Sequence, residues 1–160
     1  MPYPEGVPMA FISLQDQEYL RRRFADELDQ PVKLILFVRP DLRLFIPGQQ
    51  PGTSRETRQL LEELVALSEK LSLEVHDVTA EPELARQHNV TLTPTLIMGD
   101  ATQRKGTPRF IGSPSGYEFL TVVEDIIDLS KGDPGLSEET LTRLATVTEP
   151  LHILVFTTPT

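Results

Sequence analysis

Cysteine is missing from this 160-residue chain, and so is tryptophan. Without a thiol, the chain by itself has no disulfide, no thiolate nucleophile, no iron–sulfur cluster and no cysteine-ligated zinc. Positive charge is scarce as well: 15 Lys and Arg against 24 Asp and Glu give a formal net charge of −9. Nucleic-acid binding rests on a basic patch that neutralises phosphates, so no nucleic-acid partner is expected. The one cationic run, Arg21-Arg22-Arg23, has acids on both sides in a helical pattern and reads as a solvated helix face. No apolar run approaches the roughly 20 residues needed to cross a bilayer; the longest uninterrupted one is Leu34 to Val38, so no membrane partner is expected either. Met1-Pro2-Tyr3-Pro4-Glu5 lacks the positive start of a secretory signal, and the first cation is Arg21. The expected location is cytoplasmic.

What is present is an ordinary globular composition, 39% hydrophobic and 24% charged. A chain of this size hides roughly 68–70% of its unfolded surface on folding and needs no covalent or metal staple. Residues 1–12 are proline-rich and aperiodic. Ser13-x-x-Asp16 has the form of a helix cap, and Leu20, Phe24 and Leu28 follow on one face, predicting a helix over 14–29. Pro31 ends it, and Val32 to Val38 is a β-branched, nearly continuous apolar strand of the kind buried on both faces. Residues 40–52 hold three prolines and two glycines and read as a loop with a short extended stretch at Leu42–Ile46. Thr53-x-x-Glu56 predicts the cap of a second helix, with Leu60, Leu64, Leu67 and Leu71 as its inward stripe.

A second strand is expected over Leu73–Val78 and a short helix over 81–88, with Pro82 in its first turn and Asn89 after its end. Thr93-Pro94 introduces a third strand, Thr95–Met98, followed by a polar turn from Gly99-Asp100 and a fourth strand at Pro108–Gly112, together an antiparallel hairpin. Ser115-x-x-Glu118 reads as another capping box. The helix it starts carries Leu120, Val123 and Ile127 and ends at Lys131-Gly132.

After the turn Asp133-Pro134-Gly135, Ser137 caps a further helix faced by Leu141, Leu144 and Val147. The segment Pro150 to Pro159 (PLHILVFTTP) then matches Pro31 to Pro40 (PVKLILFVRP) without a gap, and the helices before the two also correspond. Agreement in helix, proline, strand and closing proline favours duplication. One α/β unit is followed by the opening helix and strand of a second.

An order of helix, strand, helix, strand, helix, then a hairpin and a last helix, fits few compact sheets. The expected fold class is α/β and thioredoxin-like, a central mixed four-stranded sheet flanked by helices. Residues 13–160 further resemble the front portion of the glutaredoxin-like protein disulfide oxidoreductases, which carry two thioredoxin-fold units in tandem. The resemblance rests on PVKLILFVR at 31–39, RQLLEEL at 58–64, the Thr93-Pro94 step, RFIGSPSGYEF at 109–119, EDIIDLS at 124–130 and ILVFTTPT at 153–160. The N-terminal region of flavin-dependent alkyl hydroperoxide reductases is similar in design. The implied division is an irregular arm at 1–12, a thioredoxin-like unit without Cys-x-x-Cys at 13–132, and an incomplete second unit at 133–160.

In that family Cys-x-x-Cys opens the helix after the first strand, where free N–H groups and the helix dipole stabilise a thiolate. Here Pro51, Gly52, Thr53 and Ser54 stand in its place. A serine hydroxyl neither forms a thiolate nor leaves as one, so no catalytic residue is expected. Thr53 and Ser54 read either as plain caps or as holders of an anion. Thr93-Pro94 falls on the family's cis-proline, which implies a cis bond and a peptide contact through the Thr93 backbone; without the resemblance it reads as a trans proline opening a strand. His76, His88 and His152 lie far apart with no metal-ligand spacing, and no Walker loop, GxGxxG or nucleophile elbow occurs, so neither metal nor cofactor is expected.

Two functional readings follow. In the first, the chain is the redox-silent front unit of a thiol–disulfide oxidoreductase that acts on protein or peptide disulfides, its catalytic Cys-x-x-Cys lying in the second unit just after Thr160. In the second, it is a stand-alone, non-catalytic thioredoxin-fold binding or scaffold protein. Leu151 to Phe156 is apolar except for His152, and left unpaired it invites a homodimer through the C-terminal strand.

Overall fold

The structure is a computed structural model, and it describes residues 10–40, 53–100, 108–133 and 135–155. Helix α1 (Leu14–Glu27) starts where the Ser13 hydroxyl accepts the Asp16 N–H at 3.1 Å, and it buries Leu20 and Phe24. Strand β1 (Val32–Val38) follows, with Leu34 to Phe37 all buried because both faces of the sheet are covered. Then come α2 (Thr53–Val65), β2 (Leu71–Asp77), α3 (Pro82–Gln87), β3 (Thr95–Asp100), β4 (Arg109–Ile111), α4 (Tyr117–Lys131) and α5 (Glu138–Leu144). The four strands form one sheet in the order β2-β1-β3-β4. β1 and β2 are parallel from Val32↔Leu71 to Val38↔Asp77, whereas β3 runs antiparallel to β1 and to β4.

The larger core lies on one face of this sheet. Phe24 and Leu28 at the end of α1, Leu61 and Leu64 of α2, and Val123, Ile126 and Ile127 of α4 close over Leu34, Leu36, Leu96 and Met98. Each such side chain contributes about 1.5–3 kcal/mol by leaving water. On the other face Ile35, Phe37 and Ile97 lie under Ala85 of α3. Polar ties hold α1 to α4. Arg23 donates two parallel bonds to Glu124, at 2.6 and 2.7 Å, and a third to Glu27 at 2.5 Å. The buried Ser130 hydroxyl accepts the Gln30 N–H at 2.9 Å and donates to the Gln30 carbonyl at 2.6 Å. Ile12, at the inner end of the proline-rich arm, is itself buried, and its N–H donates to Glu63 at 3.0 Å.

Several local expectations are corrected. Leu71 opens β2 instead of closing the α2 stripe, since α2 ends at Val65 and the chain turns through Ser68, whose carbonyl accepts the Leu71 N–H at 3.2 Å. Gly99 and Asp100 belong to β3, not to the turn after it. Ser115 does not cap α4; Gly116 does, at φ +65°, a conformation open to glycine, with no side-chain bond. Leu120 is exposed, and the inner face of α4 is Val122, Val123, Ile126 and Ile127. The strand expected from Leu151 is not formed over Leu151 to Val155, which join no ladder and stay exposed, because no strand among the described residues takes their backbone groups. Phe156 and the 40–52 loop beyond Pro40 lie outside the described residues.

Candidate functional site

The sheet end to which β1 points is assembled by topology. α2 has 13 residues, about 20 Å at 1.5 Å per residue. It leads by a short turn into β2, whose start lies beside the start of β1. Its first turn, with Thr53 and Ser54, is thereby returned to the C-terminal end of β1. Ser54 is half-buried there, while Pro51 and Gly52, like the Thr53 side chain, lie outside the described residues. β3 arrives at the same end, its first residue Thr95 opposite Phe37.

The Thr93–Pro94 bond just before it is cis. Pro94 is buried, and its carbonyl accepts the Gly112 N–H at 2.9 Å; the Thr95 hydroxyl donates to the Leu92 carbonyl at 2.7 Å. The backbone N–H and carbonyl of Thr93 find no partner among the described residues. Two exposed apolar side chains flank the step: Leu92, and Ile111 opposite Thr95 in the ladder. Neither was singled out from sequence. A bare backbone with apolar neighbours can take an extended chain; with no sulfur there, it cannot exchange disulfides.

On the face under α3, the fold brings together two histidines that are far apart in sequence. The Phe37 ring has His76 at 5.5 Å and His88 at 5.3 Å, centroid to centroid. His76 Nδ1 is 3.0 Å from Glu81, and Glu74 bonds Lys33 at 2.7 Å. The Lys33 hydrogen bond holds the Glu74 carboxyl below its usual range, against the opposing effect of burial. His152 lies away from them in the exposed C-terminal segment. Among the described residues no group of three or more His, Asp or Glu could hold a metal ion. No described helix is long and apolar enough to cross a membrane. A groove of about 360 Å³ lies elsewhere, between the starts of α1 and α4, lined by Phe11, Tyr19, Phe119 and Leu120 among others.

A mixed sheet in this order with helices on both faces defines an α/β, thioredoxin-like protein. The N-terminal domain of alkyl hydroperoxide reductase AhpF from Enterococcus faecalis superposes with a TM-score of 0.69 at 21% identity, over 84% of this chain and 60% of that one. A protein disulfide oxidoreductase from Aeropyrum pernix gives 0.65 at 21%, over 84% and 55%. The chain thus spans somewhat over half the length of these structures, and at such identities the likeness defines the fold. Residues 22–111 match the model of a family described as a domain of unknown function (DUF7088), and the chain belongs to that family. No curated protein matches it in sequence.

Proposed function

We propose that this chain is a redox-silent thioredoxin-like unit of a glutaredoxin-like thiol–disulfide oxidoreductase. In this reading residues 133–160 open a second unit whose Cys-x-x-Cys follows Thr160. The observation that carries it is the combination of a thioredoxin-like sheet with Thr53 and Ser54, not cysteine, at the start of α2. The unpartnered Leu141, Leu144 and Leu151 to Val155 support it, since a second sheet would cover them. The unit's own contribution is to hold an extended peptide against the Thr93 backbone between Leu92 and Ile111.

The test is the intact mass of the native gene product. A protein larger than 18.0 kDa with Cys-x-x-Cys soon after Thr160 is the expected result. A product of 18.0 kDa sinks the oxidoreductase reading and leaves a non-catalytic binding module, which a Thr93 backbone without a partner among the described residues favours on its own. Peptide binding is tested separately by backbone amide shifts: Thr93 and Gly112 should move on titration with an extended peptide, and Ile111→Asp should weaken that binding at least ~5-fold, as loss of about 1 kcal/mol of apolar contact implies.

A further inference from the structure

β2 is a seven-residue edge strand, and among the described residues nothing pairs with the centre of its outer side. In the parallel ladder the Val32 N–H donates to the Lys70 carbonyl and the Val78 N–H to the Val38 carbonyl, both at 2.9 Å. This alternation turns the backbone groups of Ser72, Glu74 and His76 toward β1 and those of Leu71, Leu73, Val75 and Asp77 away from the sheet. At the strand ends some outward groups are used, the Leu71 N–H by Ser68 at 3.2 Å and the Asp77 carbonyl by the Glu81 N–H at 2.8 Å. Those of Leu73 and Val75 have no partner among the described residues. A row of free N–H and carbonyl groups is a template for another strand.

The side chains select which strand fits. Antiparallel pairing of β2 with a second β2 about a two-fold axis at Val75 sets Val75 opposite itself and Leu73 opposite Asp77, all with outward backbone groups. The same register sets Glu74 opposite His76 of the partner subunit, twice by symmetry. Within one chain Glu74 is bridged to Lys33 at 2.7 Å and His76 to Glu81 at 3.0 Å, with His76 Nε2 and Glu74 only loosely apposed at 3.7 Å. Across the pair the order on that face becomes Lys33, Glu74, His76 of the partner subunit, then Glu81 of the partner subunit, an alternation of sign when the imidazole is protonated. Other registers fare worse. An axis at Leu73 sets His76 against Lys70, an axis at Asp77 sets two aspartates together, an axis at Ser72 needs the Leu71 N–H already bonded to Ser68, an axis at Glu74 pairs the outward groups of Leu73 and Val75 but sets two glutamates face to face, and an axis at His76 sets two imidazoles together.

We propose that β2 is a self-pairing edge, through which two copies of this chain join antiparallel about Val75 into one eight-stranded sheet with two Glu74–His76 cross-pairs. Light scattering on the 160-residue chain over a concentration series should give twice 18.0 kDa. Val75→Pro removes an outward N–H and no ladder bond, at the cost of the Val75 side chain's packing against the core; it should still fold, with unchanged circular dichroism, and give the monomer mass. Should that variant not fold, charge decides. Glu74→Lys should raise the dissociation constant about 10-fold, and adding His76→Glu should bring it back to within about 3-fold of wild type, as two cross-strand pairs of up to about 1 kcal/mol imply. Removal of residues 151–160 should leave the dimer intact. A monomer at every concentration, a dimer that survives in folded Val75→Pro, or one lost with residues 151–160 overturns the proposal; the last result would assign association to the C-terminal segment instead.

Discussion

Single residues with no sequence signature hold much of this fold together. Ser130 sits one residue before the Lys131-Gly132 helix stop and looks like a solvent residue. It is buried and fastens the end of α4 to Gln30, the residue before the Pro31 that leads into β1. Ser130→Ala should lower unfolding stability by about 1 kcal/mol in denaturant titration, because the Gln30 carbonyl loses its hydroxyl partner and the Gln30 N–H keeps only the Ser130 carbonyl at 3.2 Å. Asp125 is shifted the other way from Glu27, Glu74 and Glu124: burial, reinforced by Asp128, pushes its pKa up. A carboxyl whose folded pKa is raised favours folding while protonated and costs stability once pH climbs above it. Asp125→Asn should therefore melt higher than wild type at pH 7, and the difference should vanish toward pH 3.

Among the elements, the pairing of α1 with α4 depends on charge. Arg23 draws the carboxyls of Glu27 and Glu124 below their usual range, chiefly through its hydrogen bonds. Groups with depressed folded pKa values contribute stability above about pH 4.3 and lose it as pH falls through the folded values. Between pH 6 and pH 3 the melting temperature of Arg23→Met should fall less steeply than that of wild type; equal slopes would show that the network contributes nothing. Both glutamates are partly exposed, so salt should shrink the effect. How legible the elements were follows from what defines each. The β1 bounds were readable because an apolar run bounded by prolines has one interpretation. The end of α2 was not, since Leu60, Leu64, Leu67 and Leu71 keep a helical spacing across a turn that only the Ser68 carbonyl reveals. Gly116 at the start of α4 was hidden behind a serine in capping position, a local signal overruled by the backbone path out of β4.

At the scale of the whole molecule, order is concentrated where β1 is covered on both faces. Hydrogen exchange should be slowest at Leu34 to Phe37 and fast throughout α5 and Leu151 to Val155, whose side chains are largely exposed. Thiol chemistry is closed to the chain as it stands: added to an insulin-reduction assay with dithiothreitol, it should leave the rate at the reagent's own level. Any acceleration would have to come from something other than this polypeptide.

The sequence by itself determined the fold class, the order of the elements as far as α5 and the lack of any thiol, because these follow from hydrophobic period, turn residues and the missing sulfur. The cis bond at Thr93-Pro94 was legible too, through the resemblance that marks where this step stands in a sheet of this kind. The tertiary structure alone decided that Ile111 flanks the Thr93 backbone, that His76 and His88 meet at Phe37, and that Leu73 and Val75 face an edge unpaired among the described residues. Each of these depends on strand order and register, which join residues 10 to 60 positions apart, and no local pattern in a chain carries the identity of its distant neighbour.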